Sequence, residues 1–568
     1  FSTTPDTSGP TPLTGREVSS EVAESSDRSI KGLRFPRDAV AQGILLVLAG
    51  WCVWRPVETF PSSAILVSAT ALGLAVWAWR RTPKNSNPWL INCAVGLVLL
   101  ASGMAGWDPA SAIGEISLLM TAVMMVWLAS RVSPPERWPA FLALVISTLA
   151  VWGVWQVSGG MDEAISSAGQ LPIGIQSAAF ERLTSGRAFA SQLLPSHLAV
   201  LLATALPLLL WRLRIRWSAL PWLIGSVLCL IGIVLTRSPV GAALALSACG
   251  VLAGARKKRF LLAAALVLVP VLLSVIAVRG DVIELEPVAL RVDNWRTAIW
   301  VWSTAPAAGV GVGGFAQAAQ GVPFEVGNRP RHAHSLPLEW LAELGPIGLL
   351  AILLAGLALW RLLRSLWPER PELAVALAVI PVHNLIDFSF YGSGIILAWA
   401  VLVGWAMAFV KPSPEAESLP TRWRVVFVTV IAGVLAATVL HVTSLMVEES
   451  AFERQAPGEK LDWALEARRL APWRVDPLGL VATAALQTGD PQRISEALEE
   501  LDRGRWLRPR SAALAALRAE LAIAGGMAPT AVSEAWTSKF DEPSNEARAE
   551  DFENLLDRLE LDSEDDDS

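Results

Sequence analysis

The sequence predicts an all-α protein that crosses a membrane many times and ends in a small helical domain. Three observations carry that expectation. Of 568 residues, 53% are hydrophobic and 17% charged, with a mean hydropathy of +0.46, which is less charge than a soluble chain of this size holds. Apolar runs recur that are long enough to cross roughly 30 Å of hydrocarbon. Near residue 447 the long apolar runs stop, and charged, alanine-rich helical patterning takes over.

In chain order, residues 1–36 are polar and Ser/Thr-rich and read as a disordered cytoplasmic N-terminus. A membrane domain of about 12–13 transmembrane helices follows over 37–446. Its spans are placed at roughly 38–54, 62–80, 89–107, 111–130, 138–157, 189–211, 219–236, 239–254, 259–278, 337–363, 372–389, 391–410 and 423–446. Alternate connections are basic: Lys31-Arg34-Arg37, Arg80-Arg81-Lys84, Arg131-Arg137, Arg212-Arg214-Arg216, Arg256 to Arg259 and Arg361-Arg364-Arg370. The excess of positive charge puts these connections and the N-terminus in the cytoplasm, and an odd span count puts the C-terminal domain outside. Two long outer loops remain, 158–188 and 279–336. The four cysteines, Cys52, Cys93, Cys229 and Cys249, lie in apolar runs and read as small core residues, neither bridged nor metal-bound.

Residues 447–540 read as a tetratricopeptide-like helical domain. Ala464 to Pro472 looks like the end of one unit, and Ala497-Leu498-Glu499-Glu500 opens a similar stretch 33 residues later; a protein partner could dock there. Residues 541–568 form an acidic tail, a solvated charge run. No nucleic-acid partner is expected.

The chemistry concentrates in the second outer loop. Arg331, His332 and His334 precede a long apolar helix, and ionisable groups at a membrane boundary are expensive enough to be a functional hypothesis by default. His334 sits at a helix start, with Pro337 in its first turn and Glu339 near its positive end. A neutral imidazole there could accept a proton from a hydroxyl, and His332 competes with it by position. Isolated arginines on the outer side, among them Arg187, Arg237, Arg291 and Arg331, run against the orientation rule and suit an anion, since guanidinium makes paired hydrogen bonds to phosphate. Gly311-x-Gly313 reads as backbone permissiveness in a tight loop. Asp387 closes a Val382 to Phe388 segment and could orient His334 or pair with an arginine. The outer loops hold no Asp-x-Asp motif, and Asp281, Glu284 and Glu286 read as a solvated loop, so no metal and no cofactor is expected.

The segment His334, Ser335, Leu338, Glu343, Gly345 and Gly348 resembles the signature of the O-antigen ligase and O-antigen polymerase superfamily. Arg291 and Trp295 followed by Pro306 to Phe315 resemble its Arg-x-x-x-Trp and glycine-rich segments, with one altered glycine-phenylalanine spacing. Thr236-Arg237-Ser238-Pro239 resembles its Thr-x-Ser-Arg-Gly segment, with proline at the usual arginine place. Gly186 to Ala190 followed by Pro195 to Ala199 resembles a further one.

The resemblance implies a membrane glycosyltransferase of O-antigen ligase type at the outer face, taking an undecaprenyl-diphosphate-linked glycan as donor. His334 would be the base. Arg291, Arg237, Arg187 and Arg331 would hold the diphosphate, with Glu343, Asp387 and His332 in support. The acceptor stays open between lipid A core, another lipid-linked glycan, as in a polymerase, and protein, as in a protein O-oligosaccharyltransferase. A polytopic transporter also fits the hydropathy, but its charges would lie near mid-membrane. A scaffold protein would leave the His334 signature without a purpose.

Overall fold

The computed structural model describes residues 37–56, 99, 102–131, 134–162, 165–166, 183–192, 194–213, 219–254, 286–322, 330–410, 439–440, 442–504, 507 and 512–527. The spans expected at 62–80 and 259–278, most of those at 89–107 and 423–446, the termini 1–36 and 541–568, Asp281, Glu284 and His441 lie outside the described residues. The described regular structure is helical. Among the described residues, five helices are long and apolar enough to cross a membrane: α2 (Pro109–Ser130), α3 (Trp138–Gly160), α4 (Pro195–Leu213), α9 (Leu336–Leu366) and α11 (Ser393–Val410). Four shorter apolar helices accompany them: α1 (Arg37–Trp54), α5 (Ala219–Leu235), α6 (Pro239–Gly254) and α10 (Pro371–His383).

Helix α4 is the central pillar. It packs against α3, α5, α6 and α10, while α11 packs against α1 and α2. Leu198, Leu201, Leu202, Leu206 and Leu209 of α4 are fully buried, so the sides of this helix meet protein. Small residues allow the close approaches: a methyl on Gly241 of α6 would sit 2.3 Å from Ala199 Cβ of α4. At the end expected to be cytoplasmic, Arg212 and Arg370 both donate to the Glu136 carbonyl, and Arg370 lies 4.1 Å over the Phe409 ring.

Three helices differ from their expected ranges. The span expected over 189–211 begins at Pro195, because the Gln156 side chain accepts the N–H groups of Phe189 and Ala190, and Ala190 turns left-handed at φ 50°. The span expected over 372–389 ends at His383. There the Asn384 side chain donates to the Ile380 carbonyl and accepts Phe390 N–H, folding 384–392 into a compact turn. Helix α9 is broken at Gly345, φ 62° and ψ −153°, just ahead of Pro346.

Among the described residues of the expected outer loop 279–336 are two helices, α7 (Glu286–Thr304) and α8 (Phe315–Ala319). Helix α7 mixes charged residues with tryptophans, so it carries no span-like signal.

The break in α9 explains the glycine-rich segment. Pro346 has no N–H to offer the Ala342 carbonyl, and Gly345 turns the chain away from the Glu343 carbonyl. Buried carbonyls need partners. Val310 N–H donates to Ala342 O at 3.0 Å, and Gly311 N–H to Glu343 O at 2.9 Å. The Glu343 carboxylate in turn accepts Phe315 N–H at 3.4 Å and the Gly313 N–H. Trp107 N–H donates to Val310 O at 2.9 Å, joining α2 to the same clasp. The backbones come so close that a methyl on Gly309 would lie 2.2 Å from the Glu343 carbonyl carbon.

Beyond the membrane helices, α12 (Pro457–Leu470), α13 (Asp476–Thr488), α14 (Pro491–Gly504) and α15 (Ala512–Ala524) form two helical hairpins whose first helices start 34 residues apart. They share a core that includes Leu461, Leu478, Val481, Leu498 and Leu521. Arg474 reaches Ser444 and Glu448 of the helical segment 442–452. Ala110, at the start of α2, packs against the same core. This domain therefore sits at the end of α2 that also meets the clasp.

Candidate functional site

The ends of α4, α9 and α10 converge with α7 on one carboxylate. Asp387, 1% exposed, lies in the turn after α10. Its Oδ1 is 3.9 Å from His334 Nδ1 and 3.9 Å from His197 Nε2; its Oδ2 is 3.7 Å from Arg291 Nη2 and 3.5 Å from His383 Nε2. Phe388 N–H donates to Oδ1 at 2.8 Å. Burial alone would raise the Asp387 pKa, but the imidazoles of His383, His197 and His334 and that N–H together bring it below its ordinary value.

His334 occupies the loop just before α9 with φ 52°, the left-handed region that few non-glycine residues adopt. Several contacts hold it there. Trp295, one helical turn beyond Arg291 on α7, donates from Nε1 to the His334 carbonyl at 3.2 Å. The Arg-x-x-x-Trp spacing thus sets both side chains on one face: arginine reaches Asp387 and tryptophan holds the histidine loop. The His334 ring meets Phe388 edge-on at 4.6 Å. Burial lowers its pKa, the Arg291 charge adds to that, and Asp387 partly opposes it. The shift favours the neutral imidazole at pH 7.

His332 has a partner of its own. Its Nδ1 is 2.7 Å from Glu339 Oε1, and Glu339 Oε2 accepts Ala333 N–H at 3.0 Å. The ring stacks on Phe388 at 4.5 Å and against Tyr391 at 4.5 Å. Burial and the negative charges of Glu339, Glu343 and Glu115 push the Tyr391 hydroxyl well above its ordinary pKa. Two histidine–carboxylate pairs thus flank Phe388.

Residues 224–353 match the family model described as O-antigen ligase. The chain carries an O-antigen ligase domain. The match runs from within α5 to within α9, taking in Arg237, Arg291, His334 and Glu343; Arg187 and Asp387 fall outside it. No curated protein matches the chain.

Within and beside the O-antigen ligase domain the expected site residues divide into groups. His334, Arg291 and Asp387 come together, with His332 across Phe388. Arg187 and Arg237 form a second group at the adjoining ends of α5 and α6. Arg187 Nε donates to Thr236 O at 3.0 Å, and the Arg237 guanidinium approaches Gly186. Arg237 is also left-handed, φ 49°. Arg331 is exposed beside the His332 loop. Glu343 lies in the clasp, where its side chain accepts the Phe315 N–H and its carbonyl the Gly311 N–H.

Sequence reasoning passed over His197, His383, Phe388 and the pairing of Glu339 with His332. The four-residue spacing of His383 and Asp387 was the available signal. Arg291→Ala should weaken binding of a diphosphate-lipid donor by roughly ten- to a hundredfold, since a hydrogen bond to a charged group contributes about 1.5–3 kcal/mol. Direct titration of the donor into nanodisc-embedded protein measures this. Unchanged affinity would remove Arg291 from the donor site.

Proposed function

We propose that this protein is a membrane glycosyltransferase that moves a glycan from undecaprenyl diphosphate to an acceptor hydroxyl at the outer face of the cytoplasmic membrane. The observation that carries this reading is the placement of an imidazole and a guanidinium on opposite oxygens of one buried carboxylate, in a chain with an O-antigen ligase domain. In this reading His334 takes the acceptor proton as the hydroxyl oxygen bonds to the anomeric carbon. The bond from that carbon to the diphosphate breaks on the far face, which inverts the centre and releases undecaprenyl diphosphate. Asp387 steadies the imidazolium that forms, and Arg291 meets the charge gathering on the leaving diphosphate. Arg187 and Arg237 serve the more distant phosphate, and Arg331 the rim. Arginine bears the charge that a metal ion would otherwise bear, and the reaction is metal-independent.

The C-terminal hairpins, with their 34-residue offset, favour a tetratricopeptide-like unit. Their contact with α2 beside the clasp would set a partner or acceptor close to the site.

The test is transfer by purified full-length protein in nanodiscs, with labelled lipid-linked glycan offered lipid A core, a second lipid-linked glycan or Ser/Thr peptides. One glycosylated product identifies ligase, polymerase or protein glycosylase. Turnover should survive a strong chelator. Loss in chelator with recovery in magnesium would overturn the metal-free reading, and no product from any acceptor would overturn the transferase reading.

A further inference from the structure

Two buried histidines beside Asp387, His197 and His383, have no task in the proposed reaction. His383 is 1% exposed, ends α10, and its Nε2 faces Asp387 Oδ2, the oxygen that Arg291 also approaches. Its surroundings determine which of its nitrogens carries the proton.

Asn384, the next residue, is also 1% exposed. Phe390 N–H requires an acceptor at 3.0 Å, so the oxygen of the Asn384 amide points there. The Ile380 carbonyl requires a donor at 2.8 Å, so the amide nitrogen points there. The amide orientation is thereby fixed by two backbone groups. The same nitrogen lies 2.8 Å from Ser389 Oγ and donates to it. Ser389 is fully buried, and its hydroxyl proton still needs an acceptor. The remaining hydrogen-bond neighbour of that oxygen is His383 Nδ1, at 3.1 Å. Nδ1 is then the acceptor, and the ring proton sits on Nε2, aimed at Asp387 Oδ2.

We infer that His383 is a positioning residue of this site: the Asn384–Ser389 pair locks it as the Nε2–H form, and its N–H holds the Asp387 carboxylate between His334 and Arg291. The separation of 3.5 Å is longer than a hydrogen bond, and such contacts close when substrate seats. Orientation of a catalytic imidazole through a carboxylate depends on that carboxylate keeping one rotamer. Asp387 is pulled from several sides, by His197 and His334 on one oxygen and Arg291 on the other. A fixed donor on Oδ2 keeps Oδ1 turned toward His334. The inference rests on the transferase reading for its consequence, and on hydrogen bonds for the tautomer.

The experiment reads both. Full-length protein labelled with ¹⁵N-histidine in nanodiscs gives imidazole nitrogen shifts, with the His383 pair assigned by its loss in His383→Gln. The expected result is an Nε2–H tautomer at His383 that becomes a mixture in Ser389→Ala. The same variants are then assayed for transfer. His383→Leu should lose roughly tenfold or more in kcat with donor KM little changed. His383→Gln, whose amide can present a donor at the same place, should recover most of it. An Nδ1–H tautomer, or equal kcat for the Gln and Leu variants, overturns the inference. Absence of any transfer by the unsubstituted protein overturns the transferase reading instead and leaves the tautomer result standing.

Discussion

His334→Asn should lower glycan transfer by roughly 10²–10⁴-fold, the range for losing a general base, while donor affinity stays within about twofold. Asparagine is the informative choice, since it tolerates the left-handed backbone that His334 occupies at φ 52°; a collapse of the loop cannot then pass for a loss of chemistry. His332→Asn should cost much less. The rival outcome is full activity in the His334 variant and none in the His332 variant, and the 2.7 Å contact to Glu339 makes it a serious one. In the unsubstituted protein the rate should fall on the acid side with a midpoint below 6.5, because burial lowers the His334 pKa from that value and the base works only when neutral. Asp387→Asn removes a charge that raises the His334 pKa, so this limb should move to still lower pH as the plateau rate falls. A limb that moves upward would mean the titrating group is not His334.

Gly309→Ala should leave little folded protein. The added methyl lands 2.2 Å from the Glu343 carbonyl carbon, at a residue whose φ is 71°. The left-handed backbone costs roughly 1–2 kcal/mol for a residue with a side chain, and overpacking a tight contact adds typically about 1–3 kcal/mol. Gly356→Ala, on α9 beyond the break, is the control, since nothing lies within 4 Å of its new methyl. Size-exclusion profiles and thermal melting in detergent compare the two. Equal melting for both variants would show that the clasp contributes nothing to the fold.

Much of the helical layout was legible because long apolar runs have one reading in a membrane. The signature was legible too: His334, Arg291 and Asp387 were singled out from residue type and position, and the structure brings them together. What stayed hidden was partnership. Nothing in local spacing says that Trp295 holds the His334 carbonyl, since the two meet through a fold that joins α7 to the start of α9. The helix break at Gly345 was also missed. A Gly-Pro pair inside an apolar run is compatible with a straight span until the partners of its freed carbonyls are known, and those partners lie more than thirty residues upstream at Val310 and Gly311. The His383–Asn384–Ser389 chain needed side-chain geometry, because its logic is the direction of each hydrogen bond.

The broken helix also sets a depth. From Pro346 to Leu366, α9 rises roughly 30 Å at about 1.5 Å per residue, the thickness of the hydrocarbon layer. Its exposed apolar stripe, Ile347, Leu350, Leu353, Leu354 and Leu357, begins just after the break. The preceding stretch, Leu336 to Leu344, then stands in the headgroup layer, and it carries Glu339 and Glu343 with His334 just ahead of it. A long-chain lipid lying along that stripe would bring its polar head level with the histidines without being lifted from the bilayer, and a water-soluble acceptor could meet it there without entering the hydrocarbon.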